Sequence, residues 1–277
     1  MKGEGGRGKG KNLVLVNGEA AAGIDVLDRG LQYGDGVFRT LKVVAGEVRW
    51  WEDQYRKLAE DCAALAIPCP DKQALGGEVR KIAAGPGVGV VKIIVTRGAG
   101  QRGYAIPAAA AVSRIVMGFS GGGNETREVR VRWCDLRLSV QPRLAGIKHL
   151  NRLENVLARS EWSDPEIAEG LLLDEAGHVI CGTMSNLFLH EQGRLVTPDL
   201  CGSGVAGVAR RRIIRAAGRH ARQVRVEHCS RERLLAADGL FLCNSLIGVW
   251  RVTELENRHW PDDGWAEKLR SWLDEDH

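Results

Sequence analysis

The sequence predicts a mixed α/β fold of the α+β kind, and three patterns predict it. Apolar, β-branched runs of strand length recur along the chain, as over residues 88–96. Between such runs lie segments with apolar residues at helical spacing: Tyr55, Leu58, Cys62 and Leu65 share one face of a helix over residues 52–65. Glycine-rich turns punctuate the rest. At 277 residues the chain has room for one large domain or two smaller ones, each with its own core.

Residues 13–18 read as a strand that ends in an Asn-Gly hairpin turn. In Tyr33-Gly34-Asp35-Gly36-Val37-Phe38 two glycines flank an aspartate, which suits a tight backbone path beside something bulky, or a plain loop. Residues 38–44 and 47–51 form a hairpin about Ala45-Gly46. A second helix over 71–84 is broken by Gly85-Pro86-Gly87. After the strand at 88–96 comes Arg97-Gly98-Ala99-Gly100-Gln101-Arg102-Gly103-Tyr104. It lacks the spacing of a nucleotide P-loop, and it suits either a carboxylate or a solvated basic turn. A strand at 111–119 leads to Gly121-Gly122-Gly123-Asn124, the best internal linker.

Two short strands, 129–133 and 136–140, precede a helix over 151–162 with Leu153, Val156, Leu157 and Ser160 on one face. Strands at 170–173 and 178–180 lead into Cys181-Gly182-Thr183-Met184-Ser185-Asn186, small and polar residues suited to a ligand face. A strand at 194–197 follows. Gly202-Ser203-Gly204-Val205-Ala206-Gly207 then opens a helix through 210–220. Free N–H groups and the helix dipole there suit a phosphate, though an ordinary helix start reads the same. A strand at 221–227, a short helix at 230–237, a strand at 240–245 and a final helix at 262–274, with Trp265, Leu269 and Trp272 on one face, complete the chain.

A net charge of +4 is small for this length and does not argue for nucleic acid; it leans towards a small anionic substrate. No apolar run reaches membrane-spanning length. Residues 1–11 are basic and glycine-rich without the apolar core of a signal peptide, and are expected to be a disordered extension. The cysteines are odd in number and form no C-x-x-C pair, which disfavours structural zinc and a disulfide framework and points to a reducing cytoplasm. No metal is expected.

The chain's chemistry centres on Gly146-Ile147-Lys148-His149-Leu150-Asn151-Arg152-Leu153-Glu154. A lysine in an apolar approach segment is either a surface residue at a turn or an amine that loses its proton easily and attacks an aldehyde. Four runs bear on this choice: Tyr33-Gly34-Asp35-Gly36-Val37-Phe38, the Lys148 segment, Gly182-Thr183-Met184-Ser185-Asn186-Leu187-Phe188, and Cys243-Asn244-Ser245-Leu246-Ile247-Gly248-Val249-Trp250. In this order, over roughly residues 13–252, they resemble the pyridoxal-phosphate enzymes of fold type IV. That family includes branched-chain and D-amino acid aminotransferases and aminodeoxychorismate lyases. The Lys-His-Leu-Asn-Arg-Leu-Glu run and the 97–104 loop point to the lyases.

The resemblance implies two domains, 12–120 and 121–277, with the cofactor between them, and a homodimer with loops of one subunit near the other's site. It assigns Lys148 to covalent attachment of pyridoxal phosphate and to proton transfer. It places Asn186, Asn244, Ser245 and the backbone of Val205 and Ala206 at the cofactor. Arg97 and Arg102 become candidates for substrate carboxylates, with Tyr104 and Phe38 beside the substrate. Two positions depart from the family. Cys181 stands where a glutamate pairs with the pyridine nitrogen, and Lys57, with Gln54 three residues before it, stands where an arginine grips the phosphate. Both changes imply a weaker site: a thiol cannot hold a pyridinium as a carboxylate does, and lysine lacks the bidentate fork. An aminotransferase, or a non-catalytic relative with impaired cofactor binding, are the alternatives to a lyase of folate synthesis.

Overall fold

The structure is a computed structural model and describes residues 13–21, 23–108, 111–121 and 127–275. The extension expected over 1–11 and most of the 121–124 linker lie outside the described residues.

The first half of the chain builds a six-stranded antiparallel sheet. Its strands are β1 (Val14–Val16), β2 (Glu19–Ala20), β3 (Gly36–Val44), β4 (Glu47–Val48), β5 (Val88–Thr96) and β6 (Ser113–Ser120), in the order β2-β1-β6-β5-β3-β4. β3 alternates strictly, with Val37, Arg39, Leu41 and Val43 pointing inward. Three helices accompany this sheet: α1 (Arg29–Tyr33), α2 (Trp51–Ala64) and α3 (Lys72–Ala83). Leu58 and Cys62 of α2 and Leu75, Val79 and Ile82 of α3 close a core over Leu41, Val91, Ile93 and Val116. Asp71 caps α3 by accepting from the Gln73 and Ala74 amides.

The second half forms a nine-stranded mixed sheet. Its strands are β7 (Glu128–Leu138), β8 (Ile167–Asp174), β9 (Val179–Gly182), β10 (Asn186–Glu191), β11 (Arg194–Pro198), β12 (Val224–Glu227), β13 (Gly239–Asn244), β14 (Gly248–Leu255) and β15 (Arg258–His259). The order is β12-β11-β10-β13-β14-β7-β8-β9, with β15 beside β14. Its helices are α4 (Leu153–Arg159), α5 (Val208–Arg219), α6 (Arg231–Ala236) and α7 (Trp265–Asp274). α5 and α7 cover one face through Ile213, Leu269 and Trp272 against Phe188 and Phe241; Leu234 of α6, Trp250 and Trp260 fill the other. Strands buried on both faces explain the apolar runs at 171–173 in β8, 187–189 in β10 and 240–243 in β13.

Two expectations change. The separate strands at 129–133 and 136–140 are one strand, β7: its register shifts between Trp133 and Arg137, so an irregularity replaces the expected break. The helix expected from 151 begins only at Leu153 and ends at Arg159. Its apolar face is open: Leu153, Val156 and Leu157 are 75%, 60% and 56% exposed.

Candidate active site

A cavity of ≈ 620 Å³ opens where β3, the segment before α4, the β9–β10 turn, the loop before α5 and the β13–β14 turn converge. Lys148, Phe38, Cys181, Asn186, Val205, Asn244 and Ser245 all line it. The backbone around Lys148 is held by β3 on one side and by the loop before α5 on the other. Phe38 N donates to Lys148 O at 3.0 Å and Leu150 N to Gly36 O at 3.0 Å, while Gly146 N donates to Gly204 O at 3.0 Å. Lys148 N donates to the carboxylate of Asp61 at 3.2 Å. The Nζ lies 4.5 Å from the centroid of the Phe38 ring. Burial, reinforced by the positive charges of Arg39, Arg152 and Lys92, lowers this amine to about 7, so much of it is neutral at physiological pH.

The glycines around Asp35 make room for this segment. A Cβ on Gly34, whose φ is +65°, would stand 2.5 Å from Asn151 Oδ1; one on Gly36 would stand 2.6 Å from Val95 O and 2.8 Å from Leu150 Cδ1. The bulky neighbour expected from the sequence is the lysine segment itself.

At the opposite wall α5 begins at Gly207 without a side-chain cap or an acidic residue in its first turn. Its leading amides are therefore open to an anion. Asn186 shapes this approach: its Nδ2 donates to Val205 O at 2.8 Å and its Oδ1 accepts from Gly207 N at 3.0 Å. Ser245 Oγ accepts from Gln54 Nε2 at 2.8 Å. Asn244 folds the β13–β14 turn by accepting from Leu246 N and Ile247 N and donating to Met184 O. The thiol of Cys181 is pushed up to about 12 by burial and by nearby Glu169, so it stays neutral. Glu169, fully buried, accepts from Thr183 N, Met184 N and Ser185 Oγ and so holds the β9–β10 turn.

Residues 36–255 match the family described as amino-transferase class IV. The chain belongs to that family. Aminodeoxychorismate lyase of Vibrio harveyi is 36% identical over 250 residues, 87% of this chain and 90% of that protein. The crystal structure of 4-amino-4-deoxychorismate lyase from Pseudomonas aeruginosa is 46% identical, with a TM-score of 0.90 over 95% of this chain and 99% of that one. Branched-chain amino acid aminotransferase of Escherichia coli, at 21% identity, shares the fold, with a TM-score of 0.82 over 94% of this chain and 92% of that one. The fold type IV resemblance read from the motifs therefore holds.

Several residues assigned to the class IV site from sequence stand elsewhere in this chain. Lys57 is buried but does not line the cavity; its ammonium donates to Asp61 and to Gly146 O at 3.0 Å. The Ala206 amide donates to Gly146 O at 3.1 Å and likewise leaves the lining. Arg97 is 3% exposed and its guanidinium is saturated: Asp35 accepts at 2.8 and 3.0 Å, and the carbonyls of Ala66 and Leu65 both at 2.7 Å. It clamps the end of β5 to the end of α2 rather than facing this chain's cavity. Arg102 and Tyr104 are exposed on a loop that Arg29 ties down through the carbonyls of Gly103 and Tyr104.

Sequence reasoning missed three cavity residues or their partners: Arg39, Asp61 and Arg152. Arg39 and Arg152 line the cavity, and Asp61 pairs with Arg39, Lys57 and the Lys148 amide. Arg39 had a signal, since an arginine in phase with Val37, Leu41 and Val43 occupies a core position of an alternating strand. Away from these residues, Asp199, Cys201 and His228 bring ligand-type atoms within 4.8 Å of one another, a grouping that linear spacing did not reveal.

Proposed function

We propose that this class IV protein is a pyridoxal-phosphate-dependent lyase that converts 4-amino-4-deoxychorismate to 4-aminobenzoate and pyruvate in folate synthesis. The observation that carries the reading is Lys148: a half-buried amine lowered to about 7, fixed between β3 and the loop before α5 in the cavity of a chain 46% identical to a lyase of that name.

The cavity residues suit the cofactor. Buried polar atoms without a protein partner occur on three lining residues: Arg39 Nε, His149 Nδ1 and Ser203 Oγ. The first turn of α5, with Val205 and Ser245, would receive the phosphate. Pyridoxal phosphate, when bound, supplies an aldehyde for the lysine and a ring that takes up an electron pair. Lys148, lowered to about 7 and so neutral in a large fraction of molecules, would be the residue that holds it, with no need of a separate base. With the cofactor held there, Lys148 would be the group placed to accept the proton from the substrate's amine-bearing carbon. Loss of enolpyruvate from the adjacent carbon then makes the substrate ring aromatic. The Phe38 ring packs on the Lys148 amine and limits its solvation. Cys181 offers no carboxylate to a ring nitrogen, which handicaps transamination more than an elimination driven by aromatisation.

The working unit is proposed to be a homodimer. Leu153, Val156 and Leu157 on α4, with Leu31, Tyr104 and Ile106, are large apolar side chains open to solvent. A second copy covering them would bring the 97–104 loop, with Arg102 and Tyr104, to its partner's cavity and the anionic substrate. No helix among the described residues is long and apolar enough to cross a membrane. All seven cysteines are free, which suits a reducing cytoplasm.

Adding pyridoxal phosphate to the purified protein tests the reading. A yellow absorbance band is expected, fixed by borohydride and absent in Lys148→Ala, together with pyruvate release from aminodeoxychorismate. A loaded protein that releases no pyruvate yet transaminates amino acids overturns the lyase assignment.

A further inference from the structure

Arg39 is 2% exposed at a core position of β3. Burying a guanidinium there is unfavourable unless its N–H groups are matched. Its Nη2 donates to the Asp61 carboxylate and reaches Lys57 O at 3.4 Å. Its Nε is buried without a partner, and the residue lines the cavity. Lys57 is also buried and paired with Asp61 but differs on the last two points. It lies off the cavity, and its ammonium is engaged by Asp61 and the Gly146 carbonyl. Two buried basic side chains thus share one buried carboxylate; burial lowers Lys57 to about 7 and Arg39 only to about 9, so the positive charge kept beside the cavity is that of Arg39.

The placement says what that charge is for. Gln54, Lys57 and Asp61 run along one face of α2, and Gln54 touches Ser245 across the cavity. Arg39 also lies within electrostatic reach of Arg211 in the first turn of α5 and of its partner Glu60. We propose that Arg39, rather than Lys57, is the cation that meets the cofactor's phosphate. Lys57 is then a positioning residue, holding Asp61 and the Gly146 carbonyl beside Lys148. A guanidinium supplied from β3 restores the fork-like donor that α2 lacks. This inference rests on the cofactor reading above.

Titrations of the full chain with pyridoxal phosphate and with pyridoxal, which lacks the phosphate, test it by absorbance. Arg39→Gln is expected to weaken pyridoxal phosphate about thirtyfold, as for a lost charge-assisted hydrogen bond, and to leave pyridoxal within about twofold. Arg39→Lys, which keeps the charge, is expected to fall between and serves if the glutamine variant does not fold. Inorganic phosphate is expected to compete with pyridoxal phosphate in the wild type and not in Arg39→Gln. Lys57→Gln is expected to shift both ligands equally. The proposal is overturned if the Arg39 variants weaken both ligands alike, or if Lys57→Gln alone discriminates between them. It is also overturned if Arg39→Gln weakens 4-aminobenzoate but not pyridoxal phosphate, since Arg39 would then serve a substrate carboxylate. If the wild type binds neither aldehyde, the cofactor reading itself fails.

Discussion

Lys148 titrates near 7 because its surroundings oppose a charge, in the first place through burial and then through Arg39, Arg152 and Lys92. Covalent attachment of pyridoxal phosphate is therefore expected to speed up as pH rises through about 7 and to level off above it; a midpoint near the ordinary lysine value of 10.5, read by stopped-flow absorbance, would count against this picture. Stability has the same sign. The unfolded chain holds the proton up to the ordinary lysine range and the folded chain gives it up near 7, so the cofactor-free fold gains stability as pH rises between the two. Cys181 is neutral over this range, and a carboxylate in its place would hold a ring proton that a thiol cannot. Cys181→Glu is expected to raise lyase turnover about tenfold, the equivalent of ~1.4 kcal/mol; unchanged turnover in fully loaded protein would remove the argument. That Lys148 and Cys181 share one cavity could be anticipated because each lies within a short local run. Arg97 was misread because what it touches, Asp35, is 62 residues away in sequence. No local pattern separates a saturated arginine from a free one.

α2 shows how one helix face organises the site. Gln54, Lys57 and Asp61 point away from the apolar stripe, and Asp61, 1% exposed, serves two cations and the Lys148 amide. Asp61→Asn leaves Arg39 and Lys57 uncompensated and is expected to cost about 3–5 kcal/mol, measured by denaturant titration. A loss below about 1 kcal/mol would mean that water or another anion replaces the carboxylate. The periodicities of α2, α3 and α7 are all visible in the sequence, because each helix buries a plain apolar stripe. α4 was read too long. Arg152 donates through Nε to His149 O and so belongs to the turn rather than the helix. The exposed stripe on α4 also shows that a helical pattern tells which residues share a face, not whether this chain alone covers it.

On the scale of the molecule, that stripe is the best support for a second copy. Leu153→Glu with Val156→Glu is expected to convert a dimer to a monomer in sedimentation and to cost activity while leaving the fold intact by circular dichroism. A wild type that sediments as a monomer at micromolar concentration sinks the dimer. The mixed α+β class and most of the strands were legible, but the order of strands was not, since pairing is settled by contacts distant in sequence. The position of β7 has a consequence for how the chain is made. β7 lies between β8 and β14, both parallel to it, and Glu128 is bonded to Arg251, 123 residues later. During synthesis one edge of β7 must wait until almost the whole chain has emerged. The larger sheet is thus a late assembly event. A chain stopped before β14 would leave an open strand edge, the kind of surface that chaperones guard.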